Sequence, residues 1–227
     1  MSGRETILAR IREGLRQPAP HPHASHHQGE TATEPHEARD WLPPVGESLT
    51  QQIELFRKNA EALKATFHIF ETQAAAAAAL ASLAAGWKTI AVHRSPLIEP
   101  LLPALQVSGI PWLYADDGYE KAGLAACDAG ITTCECLVAQ TGSVLVTSAT
   151  SGGRALSVLP PHHIVIARRQ QMLPDLEAAF AHLKTTHGNN PPSMVSFITG
   201  PSRTGDIERI LVLGAHGPKE LTIFLVD

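Results

Sequence analysis

From Glu47 onward, short β-branched runs alternate with longer stretches whose apolar residues recur at helical spacing, and this alternation leaves few folds open to the chain. Residues 48–66 read as a helix with Ile53, Phe56, Ala60, Leu63 and Phe67 on one stripe, followed by a short strand over 67–70. A second helix is expected over 72–85, with Gly86 as its stop, and a strand over 89–92. Ser95-Pro96 supplies an N-cap and a first-turn proline for a helix over 97–107, and 112–114 reads as the next strand. Further on, 143–147 and 164–167 are strands separated by a Gly/Ser-rich loop at 148–153. A helix over 174–187, a strand over 194–198 and closing strands at 210–213 and 221–226 complete the pattern. Strand–helix–strand order requires crossovers, so an α/β fold with a mostly parallel sheet flanked by helices is expected.

The chain has 227 residues, enough for one large domain or a domain plus an arm. Its first 16 residues form the arm: Ser2 and Glu5 have capping-box spacing, and Ile7, Leu8, Ile11 and Leu15 fall on one helical face. That stripe needs a partner surface, on its own domain, a second copy or another protein. Residues 17–46 carry six prolines and five histidines with few large apolar side chains, and read as a solvated tether. A His-rich tract can bind metal, but no Cys or fixed carboxylate geometry supports it here. Residues 47–227 are the α/β domain.

With 18 Lys and Arg against 22 Asp and Glu, the formal charge is −4, which excludes a nucleic-acid binder working by bulk charge. The three cysteines, Cys127, Cys134 and Cys136, lie within ten residues and cannot all pair, which fits a reducing compartment. They also lack the ligand count of an iron–sulfur or zinc site. No apolar run approaches the ~18 residues of a membrane span, and the charged N-terminus lacks a signal-peptide core. A soluble protein of the cytoplasm is expected.

Four loops concentrate groups able to hold a ligand. They contain Thr141, Gly142 and Ser143; Arg154 behind Gly152-Gly153; Pro160 to His163; and Gly200, Ser202, Arg203, Thr204, Asp206 and Glu208. The last follows a strand and reads as opening a short helical turn, where backbone amides, hydroxyls and Arg203 favour an anion. A capped turn that satisfies only its own backbone is the equal alternative. The GxxxxGK[ST] and GxGxxG spacings are absent, so neither a P-loop nor a dinucleotide fingerprint is present. Arg154 can clamp a carboxylate or serve a surface salt bridge. His162 and His163 precede an apolar strand, so alternation points one inward and one outward; with His216 they match no metal-ligand spacing, and no metal site is assigned.

Four segments, DAGITTCECLVAQTGSVLVTS (128–148), LPPHHIVIA (159–167), ITGPSRTGDIERILVLGAHGP (198–218) and LTIFLVD (221–227), resemble the lactate-utilisation protein C family of LUD-domain proteins in order and spacing. The likeness runs over about residues 47–227. It implies a fold like the sugar-phosphate isomerase and coenzyme A transferase-like domains. It also implies a part in oxidising L-lactate to pyruvate with two iron–sulfur partner proteins. Carried over by position, the family's motif residues are Thr141, Gly142, Ser143, Pro160, Gly200, Pro201, Ser202, Arg203, Thr204, Asp206, Ile207, Glu208, His216, Gly217 and Pro218. Gln140 departs from the family, which usually has Glu there; an amide cannot act as a basic or nucleophilic carboxylate.

A lactate oxidase must move two electrons through a cofactor. This sequence shows neither cluster-type Cys spacing nor a dinucleotide fingerprint, so no cofactor is expected in this chain and the iron–sulfur clusters are expected in its partners. Three readings follow: a non-redox subunit that binds a small carboxylate or organises the complex, a regulatory module sensing a small anion such as phosphate, or a stand-alone enzyme on a phosphorylated or thioester metabolite. A homo-oligomer is compatible with each.

Overall fold

The computed structural model describes residues 3–16, 43–205, 211–214 and 216–227. The chain divides between Leu42 and Pro43 into two units. The first contains helix α1 (Gly3–Arg16), on which Ile7 and Leu8 are exposed. Ser2 of the expected capping box and residues 17–42 of the expected tether lie outside the described residues.

The second unit is α/β. Six parallel strands, β1 (Thr66–Phe70), β2 (Ile90–Val92), β3 (Trp112–Tyr114), β4 (Ala129–Thr132), β7 (His162–Arg168) and β12 (Glu220–Val226), form one sheet in the order β1-β12-β7-β4-β2-β3. A mixed sheet, β8-β5-β6-β9, is built from β5 (Cys136–Val138), β6 (Ser143–Thr147), β8 (Met172–Leu173) and β9 (Val195–Ile198). A third pairing joins β10 (Arg203–Gly205) to β11 (Leu211–Leu213), antiparallel.

Side-chain alternation along the strands creates the layers. Ile90, Val92, Ile131, Ile164, Ile166, Phe224 and Val226 share one core with α3 (Gln73–Leu83) and α4 (Leu102–Val107). The alternate residues Phe67, Val165, Ala167, Leu221, Ile223 and Leu225 face α2 (Leu49–Ala62) and Leu137, Val144 and Val146 of the second sheet. The outer face of that sheet, Cys136, Val138 and Leu145, is covered by Ala179 of α6 (Leu176–His187). The parallel sheet is therefore buried on both faces, as its near-continuous apolar strands require.

Several elements differ from the sequence reading. The helix expected over 48–66 ends at Ala62. Lys64 takes φ +71 and turns the chain so that β1 begins at Thr66. The helix expected over 97–107 breaks into a 3-10 turn, Glu99–Leu101, and the short α4, because Pro100 and Pro103 each remove a helical donor. Strands β4 and β5 fall in residues 128–138, where short buried runs rich in Cys, Thr and Gly carry little periodicity. Arg203–Gly205, expected to open a helical turn, is strand β10, held by pairing with β11.

Candidate functional site

Residues 200–203 form a wall at the amino ends of β12 and β1. The Ser202 N–H donates to the Pro218 carbonyl at 2.8 Å, and the Gly214 N–H donates to the Ser202 carbonyl at 2.9 Å, so this loop and the His216-Gly217-Pro218 turn close on one another. Gly200 has φ +86, and a Cβ on it would lie 2.6 Å from the Leu63 carbonyl oxygen; only glycine lets the loop approach the end of α2.

The wall's side chains serve opposite faces. Gly200 and Ser202 line a hollow of about 250 Å³ together with Ser157, Thr199, His216 and Gly217. Ser157 is buried and His216 is exposed at the rim. Pro201 and Arg203 line a separate cavity of about 470 Å³ with Lys64, Thr66, Lys219 and Glu220. The hydroxyls and the guanidinium expected to converge on one ligand thus face two different spaces. The backbone of Thr204 pairs with Val212 in the β10–β11 ladder, while Asp206 and Glu208 lie outside the described residues.

The remaining expected residues are placed apart. Ser143 Oγ hydrogen-bonds Thr199 Oγ1 at 2.8 Å and so abuts the smaller hollow through its neighbour. Thr141 and Gly142 pack on α2: Asn59 Nδ2 donates to the carbonyls of Ala139 and Gln140, both at 2.9 Å, and a Cβ on Gly142 would lie 2.5 Å from the Ala60 nitrogen. The Thr141 hydroxyl oxygen is buried without a hydrogen-bond partner. Arg154 donates through Nη2 to the Ser193 carbonyl at 2.8 Å, tying its loop to the segment before β9.

His162 and His163 are both buried, although alternation expected one to face outward. They do point to opposite faces of β7, but both faces are covered. His163 Nε2 lies 2.8 Å from Thr132 Oγ1; burial, and then the neighbouring His162, push its pKa down to about 3. His162 Nε2 lies 2.8 Å from Thr222 Oγ1 and Nδ1 3.7 Å from a Glu220 carboxylate oxygen. Burial lowers its pKa, with Glu220 opposing. The three thiols are free and buried. Desolvation raises all three, Cys136 to about 12.

Sequence reasoning missed Ser157 and Thr199, which flank motif residues, and Lys64 and Lys219, which no motif marks. It also missed a half-buried polar chain. The Glu135 carboxylate accepts from Thr147 Oγ1 at 2.8 Å, and His187 Nε2 and His182 Nε2 lie 3.1 and 3.7 Å from it. Among the described residues no group of three or more His, Cys, Asp and Glu side chains is disposed to hold a metal ion.

Over residues 53–226 the chain matches the LUD domain. It belongs to the LUD-domain family. It is 37% identical to Lactate utilization protein C of Halalkalibacterium halodurans over 110 residues, covering 48% of this chain and 47% of that protein. It is 36% identical to the protein of the same name from Bacillus subtilis over 116 residues, covering 50% and 48%. The chain thus spans about half the length of the named relatives it matches. A DUF162 family protein from Deinococcus radiodurans superimposes with a TM-score of 0.63 at 19% identity over 80% of this chain and 100% of that one, which supports the fold. No helix among the described residues of this LUD-domain chain is long and apolar enough to cross a membrane.

Proposed function

We propose that this chain is a non-redox component of an L-lactate utilisation system, in which iron–sulfur partner proteins carry the electrons and this chain holds a small carboxylate. One observation carries the reading: Gly200 and Ser202 of one segment diagnostic of the family resemblance and residues 216–218 of the other line the same small hollow. Its volume of about 250 Å³ suits a three-carbon acid rather than a nucleotide. Its chemistry is neutral: Ser157, Thr199 and Ser202 offer hydroxyl donors to a carboxylate or to a substrate hydroxyl, and His216 stands at the rim. The relatives' name, Lactate utilization protein C, supports L-lactate or its oxidation product pyruvate as the acid. In this reading oxidation belongs to a partner that carries a redox group, as the family resemblance implies.

Titration calorimetry of the full chain with L-lactate and with pyruvate tests the site. Binding of either acid is expected, weakened about tenfold by Ser202→Ala, the loss typical of a hydrogen bond to a charged group. Co-purification with iron–sulfur proteins encoded beside the gene tests the assembly. Absence of heat with both acids removes the carboxylate reading, and failure to co-purify removes the partner reading.

A further inference from the structure

We propose that the larger cavity, on the other side of residues 200–203, is a binding site for a phosphate dianion, free or borne by a small organic molecule. Three cations line it, Lys64, Arg203 and Lys219, against the carboxylate of Glu220. Among the described residues none of the three is paired with a carboxylate, and Glu220 reaches instead toward His162. Three cations against one carboxylate leave the lining with net positive charge, and net charge gathered in a concavity focuses the field and draws in a counter-ion.

The cations are held in place by the fold. Arg203 spends Nη2 on the Leu63 carbonyl at 2.7 Å, which anchors the guanidinium and leaves its other donors for a ligand. The stem of Lys219 runs across Gly214, where any Cβ would collide with the lysine's Cγ, Cδ and Cε; the glycine makes the channel in which that side chain lies. The Lys219 N–H is tied to the Pro161 carbonyl at 2.7 Å. Lys64 has φ +71 and is, among the described residues, the one non-glycine residue with positive φ. Glycine normally ends a helix in that conformation, and a lysine there bears backbone strain. The strained position is the one from which a side chain at the end of α2 lines the cavity. Thr66 adds a hydroxyl, and Pro201 and Leu221 supply an apolar wall for an organic substituent.

The cavity differs from the smaller hollow in charge and in size, about 470 against 250 Å³. A phosphate at charge near −2 balances the net charge of three cations and one carboxylate, whereas a carboxylate of charge −1 leaves part of it unbalanced.

Calorimetry of the full chain with inorganic phosphate, and with phenyl phosphate as the organic form, provides the test. Both are expected to bind, phosphate with a steep decline as sodium chloride rises from 50 to 300 mM. Lys64→Gly, which removes a cation while relieving the backbone, combined with Lys219→Ala, is expected to weaken phosphate at least tenfold without lowering the circular dichroism melt and with L-lactate binding as in wild type. Tighter binding of phenyl phosphate assigns the site to a phosphorylated metabolite, and equal or weaker binding assigns it to free phosphate. No phosphate binding at millimolar concentration, or the same affinity in the double variant, overturns the proposal.

Discussion

At the carboxyl ends of β2 and β4 the polar side chains are spent on one another, whereas the segments that lead into β1 and β12 carry polar side chains that line open space. Beyond β2, the buried His93 accepts through Nε2 from the Thr133 N–H at 3.2 Å, and Gly152 lies so near that a Cβ on it would sit 2.5 Å from the His93 Cβ. Arg94 pairs with Asp117 at 2.7 Å and lies 3.9 Å over the Tyr114 ring, and Arg169 pairs with Asp227 at the end of β12. The opposite end carries the serine-lined hollow and three cations that have no carboxylate partner among the described residues. Open α/β sheets ordinarily bind ligands outside the carboxyl ends of their strands. Here the polar groups without a partner among the described residues gather at the other end, and the two proposed sites rest on those groups rather than on topology.

The contrast can be broken most forcefully at Gly200. Gly200→Ala is expected to destabilise the domain by about 2–4 kcal/mol, through a left-handed backbone and a clash with the Leu63 carbonyl, as measured by urea unfolding. A variant as stable as wild type would show that the motif wall is not seated on α2.

A smaller effect is expected from acid at the start of β7. Folding holds His163 near pKa 3 while the unfolded chain keeps the ordinary 6.5, so between these values the unfolded state binds more protons. The stability present above pH 6.5 is therefore lost as pH falls through this window. Near pH 4.5 the loss is about 2–3 kcal/mol, at 1.36 kcal/mol per unit. His163→Asn, which keeps a polar partner for Thr132, is expected to flatten the fall in unfolding free energy between pH 7 and 4.5, measured by urea unfolding, by that amount. An unchanged pH profile would assign acid lability elsewhere.

The smallest effect belongs to the carboxyl end. Arg94→Ala removes an exposed ion pair and a ring contact, and is expected to lower stability by no more than about 1 kcal/mol. It is expected to leave phosphate and lactate binding unaltered in calorimetry. A change in either affinity would mean that both ends of the sheet participate in recognition.

Much of the fold was legible because it is local. The β-branched run Ile164–Ala167 and the stripe Ile53, Phe56, Ala60 declare their elements by period alone, and Thr72 and Asp175 cap their helices through side-chain acceptors written in the sequence. What escaped was set by competition. Pro100 and Pro103 overrode an apolar helix pattern, and β10 formed where the loop chemistry resembled a helix start, because β11 was there to pair with it. The site was legible as a set of motif residues and illegible as a geometry. The loop was recognised, but the division of Ser202 from Arg203 across it was not, nor were the lysines that complete one side.

The sequence by itself determined the class of fold, the succession of elements, the family and the loops in which polar groups concentrate, since these depend on near neighbours along the chain and on side-chain period. Only the tertiary structure decided which of those groups meet. Lys64 and Lys219 are brought to Arg203 by the parallel pairing of β1 with β12, and Ser157 to Ser202 by that of β7 with β12. Strand register between segments 58 and 156 residues apart is set by the packing of both sheet faces, and no local spacing records it.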